Sequence, residues 1–381
     1  MGLDAVFNRE YWSHVPFHFW SVVFFVLGSL VGSFLNVCIH RLPLGQSIVH
    51  PPSHCPHCQY AIPWHLNVPL FTWLWLRGKC ANCGAPISIR YFLIELLTAM
   101  MFLACWLSFG QQSAGLALVL CVVISGLIVA SAIDLEHFII PDSLNFGGMV
   151  AGLVCSLLVP ILHNTDSPLK SLGQGILGLI VGGGVIYVVV RGGKVFLGRR
   201  VFEFQEGERI VFTETAIVLP SEEICYGEIF YRKSDTVAFH ASRLELFDRC
   251  YEDVTVRLSS SKLFIGDEEL NPEQVPYMEV TAKKLVVPRE VMGLGDVKFM
   301  AAIGAFLGWK AVVFSLGMSS IIGAPVGLAL VALQRHEKAR PLQYGPFIAL
   351  AAVIWIFGGV WIWQHLTGST ARPGASDITP W

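Results

Sequence analysis

Two aspartates stand beside long apolar segments, where their side chains could do acid–base chemistry. Asp134 directly follows an apolar run, and Asp296 directly precedes another, at the end of Gly293-Leu294-Gly295-Asp296. An ionisable side chain next to hydrocarbon is costly, so each position is a candidate functional site. One ionised carboxyl that activates water and one protonated carboxyl that polarises a carbonyl make up an aspartic protease. We therefore predict such a site at these two residues.

Four cysteines form a second candidate site. Cys55 and Cys58 make one CxxC pair, and Cys80 and Cys83 make another after 21 intervening residues. Two such turns can bring four thiolates onto one tetrahedral Zn²⁺. We predict a structural ion, because four cysteines leave no open position for a reacting water. The alternatives are unmetallated or redox-active pairs and ligation by one of the loop histidines, His54, His57 and His65.

Charged residues near the aspartates have structural interpretations. Asp142 follows a proline at a helix start, which is typical of an N-terminal cap, and catalysis is the alternative. Lys298 is interpreted as a contact to a lipid headgroup, the alternative being that it lowers the pKa of a nearby carboxyl group. Glu136 and His137 are interpreted as solvent-facing. Because 162 residues separate the two aspartates, their meeting requires the third apolar span to pack near the sixth. Small residues permit close helix approach at Ala130, Ser131, Ala132, Ala301, Ala302 and Gly304.

The elements that must position these residues are membrane helices. The chain has 381 residues, 54% hydrophobic and 14% charged, and its mean hydropathy is +0.59. This composition is typical of a membrane protein, in which each spanning helix needs about 20 mostly apolar residues. Eight spans are predicted, at residues 17–38, 91–108, 115–133, 144–162, 171–190, 297–308, 311–333 and 344–363.

The distribution of lysine and arginine orients these spans. The loops after the first, fifth and seventh spans carry clusters of basic residues, whereas the alternate loops hold only Lys170 and Lys310. Basic loops stay in the cytoplasm, so both termini are expected outside and both aspartates at the cytoplasmic face. The first span follows no basic n-region and no small-residue cleavage site follows it, so we expect it to be retained as a helix.

One segment, residues 200–290, has a different character. It contains 18 of the 28 acidic residues, and stretches such as Thr236–Phe239 and Val254–Leu258 alternate apolar and polar residues. A period of two residues is typical of half-exposed strands. We predict a small soluble β-rich domain in the cytosol, whose acidic face is a solvated surface or, alternatively, attracts a basic peptide.

The predicted fold is an all-α polytopic membrane protein of about eight transmembrane helices, with a zinc-knuckle cytoplasmic loop and an inserted β-rich domain. Its predicted parts are a first helix at 1–38, a four-cysteine loop at 39–90, helices two to five at 91–199, the insert at 200–290, helices six to eight at 291–366 and a flexible tail at 367–381.

Several motifs together resemble those of the type IV prepilin peptidases, which are GxGD aspartic proteases. The resemblance covers residues 22–160 and 291–357. The insert departs from the family pattern, so the resemblance implies nothing about it. The matching motifs are both CxxC pairs, Gly32–Val37, His40–Pro43, Arg77–Cys80, Ile87–Ser88, Arg90–Tyr91, Glu95–Thr98, Asp134, Ile140–Asp142, Gly293–Lys298 and Gly345–Phe347.

The resemblance implies that Asp134 and Asp296 cut basic leader peptides from prepilins or pseudopilins at the bacterial inner membrane, normally after a glycine. It also implies methylation of the new N-terminal amine by S-adenosylmethionine. No Gly-rich cofactor loop is present in the sequence, so the methylation rests on resemblance alone. Arg90 and Glu95 are candidate cofactor contacts or ion-paired helix-start residues. Prepilins and membrane lipid are the expected partners, and nucleic acid is not.

Two other functions are consistent with an acidic pair in a membrane protein. A proton-coupled transporter would place the aspartates nearer the middle of the bilayer and often has repeated halves, and neither feature is visible in the sequence. A non-enzymatic membrane anchor would recruit cytosolic partners through the cysteine loop and the insert. Loss of either aspartate would leave that anchor functional.

Overall fold

The computed structural model describes residues 16–205, 207–220, 222–230, 235–288, 293–333 and 343–368. The predicted tail at 367–381 lies outside these residues except for its first two. The chain forms two compact units, of which the first runs up to Ile186 and resumes at Leu294, and the second runs from Tyr187 to Gly293.

The helices of the chain are rich in apolar residues and are numbered here in chain order. A π-helical turn, Trp355–Gly359, joins the last two. They are α1 Phe17–Arg41, α2 Phe71–Trp75, α3 Ile89–Phe109, α4 Ala114–His137, α5 Asp142–Leu158, α6 Pro168–Leu197, α7 Leu294–Ala332, α8 Gly345–Ile354 and α9 Val360–Thr367.

Within the described residues, six helical segments are long and apolar enough to cross a membrane, so the chain is a multi-pass membrane protein. The predicted number of eight spans is not confirmed. Helix α5 has only 17 residues and is shorter than a full span. The predicted sixth and seventh spans lie in the single element α7, which is interrupted at Gly308, where φ is 78° and ψ is 173°.

Helix packing brings six helix ends to one side of the membrane unit, which we call the site end. Helix α1 packs on α3 and α4, α5 on α7, and α8 on both α4 and α7. Helices α1 and α4 finish at the site end, and α3, α5, α7 and α8 begin there. The ends are joined by Asn36 to the Tyr91 carbonyl, Arg90 to Glu136, Gln343 to the Leu135 carbonyl and Asn145 to the Gly295 carbonyl.

The small residues of α7 serve a different contact from the predicted one. A Cβ on Gly304 would collide with the Gly178 carbonyl oxygen, so the backbones of α7 and α6 are in close contact where the helices cross. Ala302 faces Gly148 of α5. The small residues of α7 thus pack it on α5 and α6. Helices α5 and α8 connect α7 to α4.

The second unit contains one nine-stranded antiparallel sheet over an apolar core. Its strand order is β4-β3-β2-β9-β5-β6-β7-β8, and β1 pairs with β9. Alternating burial along β5 gives one buried and one exposed face, as expected for a half-exposed sheet. The strands are β1 Arg199–Glu203, β2 Ile210–Phe212, β3 Ala216–Val218, β4 Glu223–Cys225, β5 Thr236–Glu245, β6 Cys250–Ser259, β7 Leu263–Ile265, β8 Glu268–Leu270 and β9 Met278–Pro288.

Candidate active site

Asp134 lies in the last turn of α4 and is almost fully buried, with 6% of its surface exposed. The helix ends just after it, because Phe138 adopts a left-handed conformation and its N–H donates to the Asp134 carbonyl. The side chain is directed at another helix, and its Oδ2 accepts a hydrogen bond of 3.0 Å from the Gly345 N–H. A carboxyl group is therefore held at the junction of α4 and α8.

Gly345 is required for this approach. It is the first residue of α8, where backbone N–H groups have no partner within the helix and an anion is favoured. A Cβ at this position would stand 2.7 Å from Asp134 Oδ2, closer than any real Cβ contact. In the sequence, Gly345 stands out only as part of a family motif. The available signal was a Gly-Pro pair opening an apolar span, whose free amides need an acceptor.

Asp296 lies in the first turn of α7 and is half-buried. Its neighbour Gly295 contacts Ile140, and the buried Asn145 donates to both the Gly295 and Ile140 carbonyls at 3.5 and 3.4 Å. Ile140 follows Asp134 by six residues. The turn between α4 and α5 thus connects the two aspartates, and both lie at the site end.

Gly295, which precedes Asp296, has an ordinary helical conformation. Gly295 is part of α7, and a Cβ there would make only an ordinary contact with Ile140 at 3.6 Å. Neither a positive φ nor a very close approach therefore requires glycine at this position.

The structure corrects the interpretations of Asp142 and Lys298. Asp142 makes no capping hydrogen bond to the described backbone; its Oδ1 accepts from Lys298 Nζ at 2.6 Å. Lys298 also lies over the Phe146 ring, 5.3 Å from its centre. Lys298 therefore joins α7 to α5 instead of contacting a lipid headgroup. It can do so because Asp142 and Phe146, four residues apart in α5, are both within its reach.

Arg90 and Glu95 are both engaged inside the protein. Arg90 forms an ion pair with Glu136, which is also exposed to solvent as expected. Glu95 is buried, and its Oε2 accepts a 2.8 Å hydrogen bond from the Leu70 N–H, just before α2. The Arg90 pair connects α3 to α4, and Glu95 fixes the cysteine loop to α3.

The four cysteines converge on one point. One ligand atom from each lies within 4.8 Å of all the others, so the group could hold a metal ion. The Sγ atoms of Cys55 and Cys83 are 3.9 Å apart, and those of Cys58 and Cys80 are 4.0 Å apart. Sulfurs around a tetrahedral Zn²⁺ at about 2.3 Å would be about 3.8 Å apart. Among the described residues, the cluster contains no histidine, so the donor set fits a site of four thiolates.

Tight turns build this cluster. The Gln59 N–H donates to the Cys55 carbonyl and the Gly84 N–H to the Cys80 carbonyl, each one residue beyond a CxxC pair. The Asn82 amide donates to Cys58 Sγ at 3.6 Å and, with a hydrogen bond from the Tyr60 backbone, lowers the pKa of the Cys58 thiol to about 6. A thiolate is the form that binds metal, so Cys58 is prepared for ligation at neutral pH.

Two protein-family models match the chain. The Bacterial Peptidase A24 N-terminal domain matches residues 26–109, which include the cysteine cluster. The Type IV leader peptidase family matches residues 121–204 and 274–328, which include Asp134 and Asp296. The interruption between 204 and 274 falls in the sheet unit.

Curated proteins give the same picture. A prepilin leader peptidase/N-methyltransferase of Aeromonas hydrophila is 28% identical over 368 residues, covering 90% of this chain and 92% of the relative. Its namesake in Myxococcus xanthus is 49% identical over 145 residues, covering 37% and 42%. A type 4 prepilin-like proteins leader peptide-processing enzyme of Escherichia coli is 39% identical over 173 residues, covering 41% and 61%. No solved structure matched the chain.

Proposed function

Because the chain belongs to the type IV leader peptidase family, we propose that it is a membrane-embedded aspartic endopeptidase that removes leader peptides from prepilins and pseudopilins. The observation that carries this proposal is the buried Asp134 carboxyl, held by Gly345 at the end of the bundle where α7 presents Asp296. Its relatives are named both peptidase and N-methyltransferase, so the enzyme also methylates the new N-terminal amine. That shared name does not favour a transporter or a passive anchor.

The two carboxyls divide the work of hydrolysis. The ionised one takes a proton from a water molecule, whose oxygen attacks the scissile carbonyl carbon. The protonated one donates a hydrogen bond to the carbonyl oxygen as negative charge develops there. Collapse of the tetrahedral intermediate breaks the C–N bond, and the leaving amine takes a proton from the pair. The two roles are assigned to the pair of Asp134 and Asp296 and not to either residue alone.

The described residues fit a bound zinc ion but do not form a recognisable S-adenosylmethionine site. Four converging thiols fit a structural Zn²⁺ that holds the loop in shape and takes no part in hydrolysis. S-adenosylmethionine supplies an electrophilic methyl group when bound. Its two candidate contacts, Arg90 and Glu95, are occupied by Glu136 and Leu70. The described residues therefore do not identify its site.

The proposed location is the bacterial inner membrane, with the site end facing the cytoplasm. The loop that joins α1 to α3 at the site end carries Arg77 and Lys79, and the sequence from Tyr11 to Ile94 contains no acidic residue. Basic connections remain on the cytoplasmic side. A basic leader on the cytoplasmic side would then lie on the same side of the membrane as the two aspartates.

Substitution of the aspartates tests the proposal. In membranes supplied with a prepilin, Asp134→Asn and Asp296→Asn should each slow leader removal by roughly 10²- to 10⁴-fold, the usual contribution of an acid–base group. Gel mobility reports cleavage, and the mass of the mature pilin reports methylation. Asp142→Asn is the matched control, because Asp142 lies at the site end but pairs with Lys298. Wild-type cleavage by both single variants would contradict the proposal.

A further inference from the structure

The cysteine loop carries an apolar surface that nothing in the described part of the chain covers. Helix α2 exposes Phe71, Leu74 and Trp75, by 59%, 58% and 72%. These positions are spaced i, i+3 and i+4, which places them on one face of the helix, and the Phe71 and Trp75 rings stack at 5.6 Å. Trp64, just before α2, is 84% exposed. We call these four residues the aromatic face.

The opposite face of α2 is fixed to the membrane unit. The Trp73 ring packs 5.2 Å from Phe92, and its Nε1–H donates to the Ile87 carbonyl. The Leu70 N–H, at the start of α2, donates to Glu95. Because these contacts anchor one face of α2 to α3, the aromatic face is directed away from the protein.

The depth of α2 follows from these contacts. Helix α3 has 21 residues, about 32 Å at 1.5 Å per residue, whereas the hydrocarbon core is about 30 Å thick. Nearly all of α3 is needed to span it, so the first two turns, with Phe92 and Glu95, stand at the edge of the hydrocarbon. Helix α2 contacts those same turns and lies at the headgroup boundary, where aromatic rings are favoured.

Charge selects the kind of lipid. The sequence contains no aspartate or glutamate from Tyr11 to Ile94. Of the loop cations, Arg41 is buried against the Ser47 and Pro51 carbonyls, and Arg90 pairs with Glu136. Arg77 and Lys79, which directly follow α2, are exposed. They give the aromatic face a positive border that complements anionic headgroups.

We infer that the aromatic face, with Arg77 and Lys79, is a docking surface for anionic phospholipid in the leaflet at the site end. The rings enter the boundary between headgroups and acyl chains, and the two cations bind phosphate groups. A basic leader peptide is the less suitable occupant, because the same positive border repels it. The surface anchors the cysteine loop to the bilayer through a segment whose last residue, Lys79, directly precedes Cys80.

Photocrosslinking tests this surface without measuring catalysis, so its failure is distinct from failure of the peptidase proposal. Benzoylphenylalanine is placed at Trp75 or, as the matched control on the opposite face, at Trp73. The full chain is reconstituted in phosphatidylethanolamine vesicles with a minor fraction of phosphatidylglycerol. After irradiation, mass spectrometry should find phospholipid adducts at position 75 and adducts to the protein itself at position 73.

A charge variant tests the preference for anionic lipid. Phosphatidylglycerol should be enriched among the adducts at position 75, and Arg77→Gln with Lys79→Gln should reduce that enrichment by about fivefold for each cation lost. Arg77→Lys with Lys79→Arg keeps the charge and should keep the enrichment; zinc content checks folding of both. Equal lipid adducts at positions 73 and 75, or adducts to a second copy at position 75, would overturn the inference.

Discussion

The cysteine cluster and the aspartate end of the bundle are assembled in opposite ways. The most distant cysteines in contact, Cys55 and Cys83, are 28 residues apart, and local turns bring all four together. Asp134 and its partner Gly345 are 211 residues apart and meet only because α8 packs on α4. One site is encoded by spacing, whereas the other is a product of helix packing. Changes that disturb packing should therefore damage the aspartate end and leave the cluster intact.

Gly345→Ala is expected to have the largest effect, because it should damage the aspartate end and leave the cysteine cluster intact. The new methyl group would lie 2.7 Å from Asp134 Oδ2, so the carboxyl must move, and displacement of about 1 Å can cost 10²-fold in rate. Leader cleavage should fall by about that factor while bound zinc stays unchanged. Gly126→Ala in α4 is the control, because no described atom lies within 4 Å of its Cβ position. Equal cleavage by the two variants would show that Gly345 does not position Asp134.

The converse change is Cys80→Ser. Loss of one thiolate should reduce bound zinc from about one equivalent to almost none, while the helix content measured by circular dichroism stays the same. The loop should also become more sensitive to protease, since the metal holds its shape. Cys250→Ser changes an exposed cysteine of the sheet unit and should retain full zinc. A zinc content equal in both variants would contradict the assignment.

A smaller effect is expected from Asn82→Ala. The Asn82 amide makes the largest of several contributions that together lower the pKa of Cys58 to about 6, so its removal raises that pKa and lets protons compete with metal at higher pH. Zinc affinity at neutral pH should fall by roughly tenfold, and the pH at which zinc is released should rise. Asn67→Ala changes an exposed amide of the same loop and should leave the release curve where it is. If Asn82→Ala does not shift the pH at which zinc is released, Asn82 does not tune the Cys58 thiol for metal binding.

The smallest effect is expected at the Lys298–Asp142 ion pair. Both side chains are partly exposed, by 32% and 62%, so their coupling should be below about 1 kcal/mol. A double-mutant cycle of Lys298→Met and Asp142→Asn, followed by thermal unfolding in detergent, measures it. A coupling several times larger would mean that this pair, rather than apolar packing, holds α5 to α7.

The sequence predicts what depends on local pattern. Long apolar runs predicted membrane helices near their observed positions, and two-residue alternation predicted strands in the insert. The CxxC spacing predicted the four-sulfur cluster because the turns that build it are local. The catalytic roles of Asp134 and Asp296 and the identity of the ion as zinc remain predictions.

Long-range contacts could not be predicted in the same way. Lys298 was assigned to lipid and Asp142 to a helix cap, because neither partner is visible until α5 packs on α7. The small residues of α7 permitted close approach to any helix, and only the fold shows that Gly304 meets Gly178. The sequence identifies Gly345 only as a motif residue, and the fold shows that its N–H donates to Asp134. Periodicity identifies a helix face but not the neighbour that covers it.

The pairing of β1 with β9 has a consequence for how such a chain could have grown. Arg199 lies opposite Pro288 and Glu203 opposite Lys284, so the strands that open and close the sheet unit run side by side, about 5 Å apart. A segment whose two ends are adjacent can be inserted into a single connection with little change to the spans on either side. This geometry therefore permits excision of the whole sheet with a short bridge in its place.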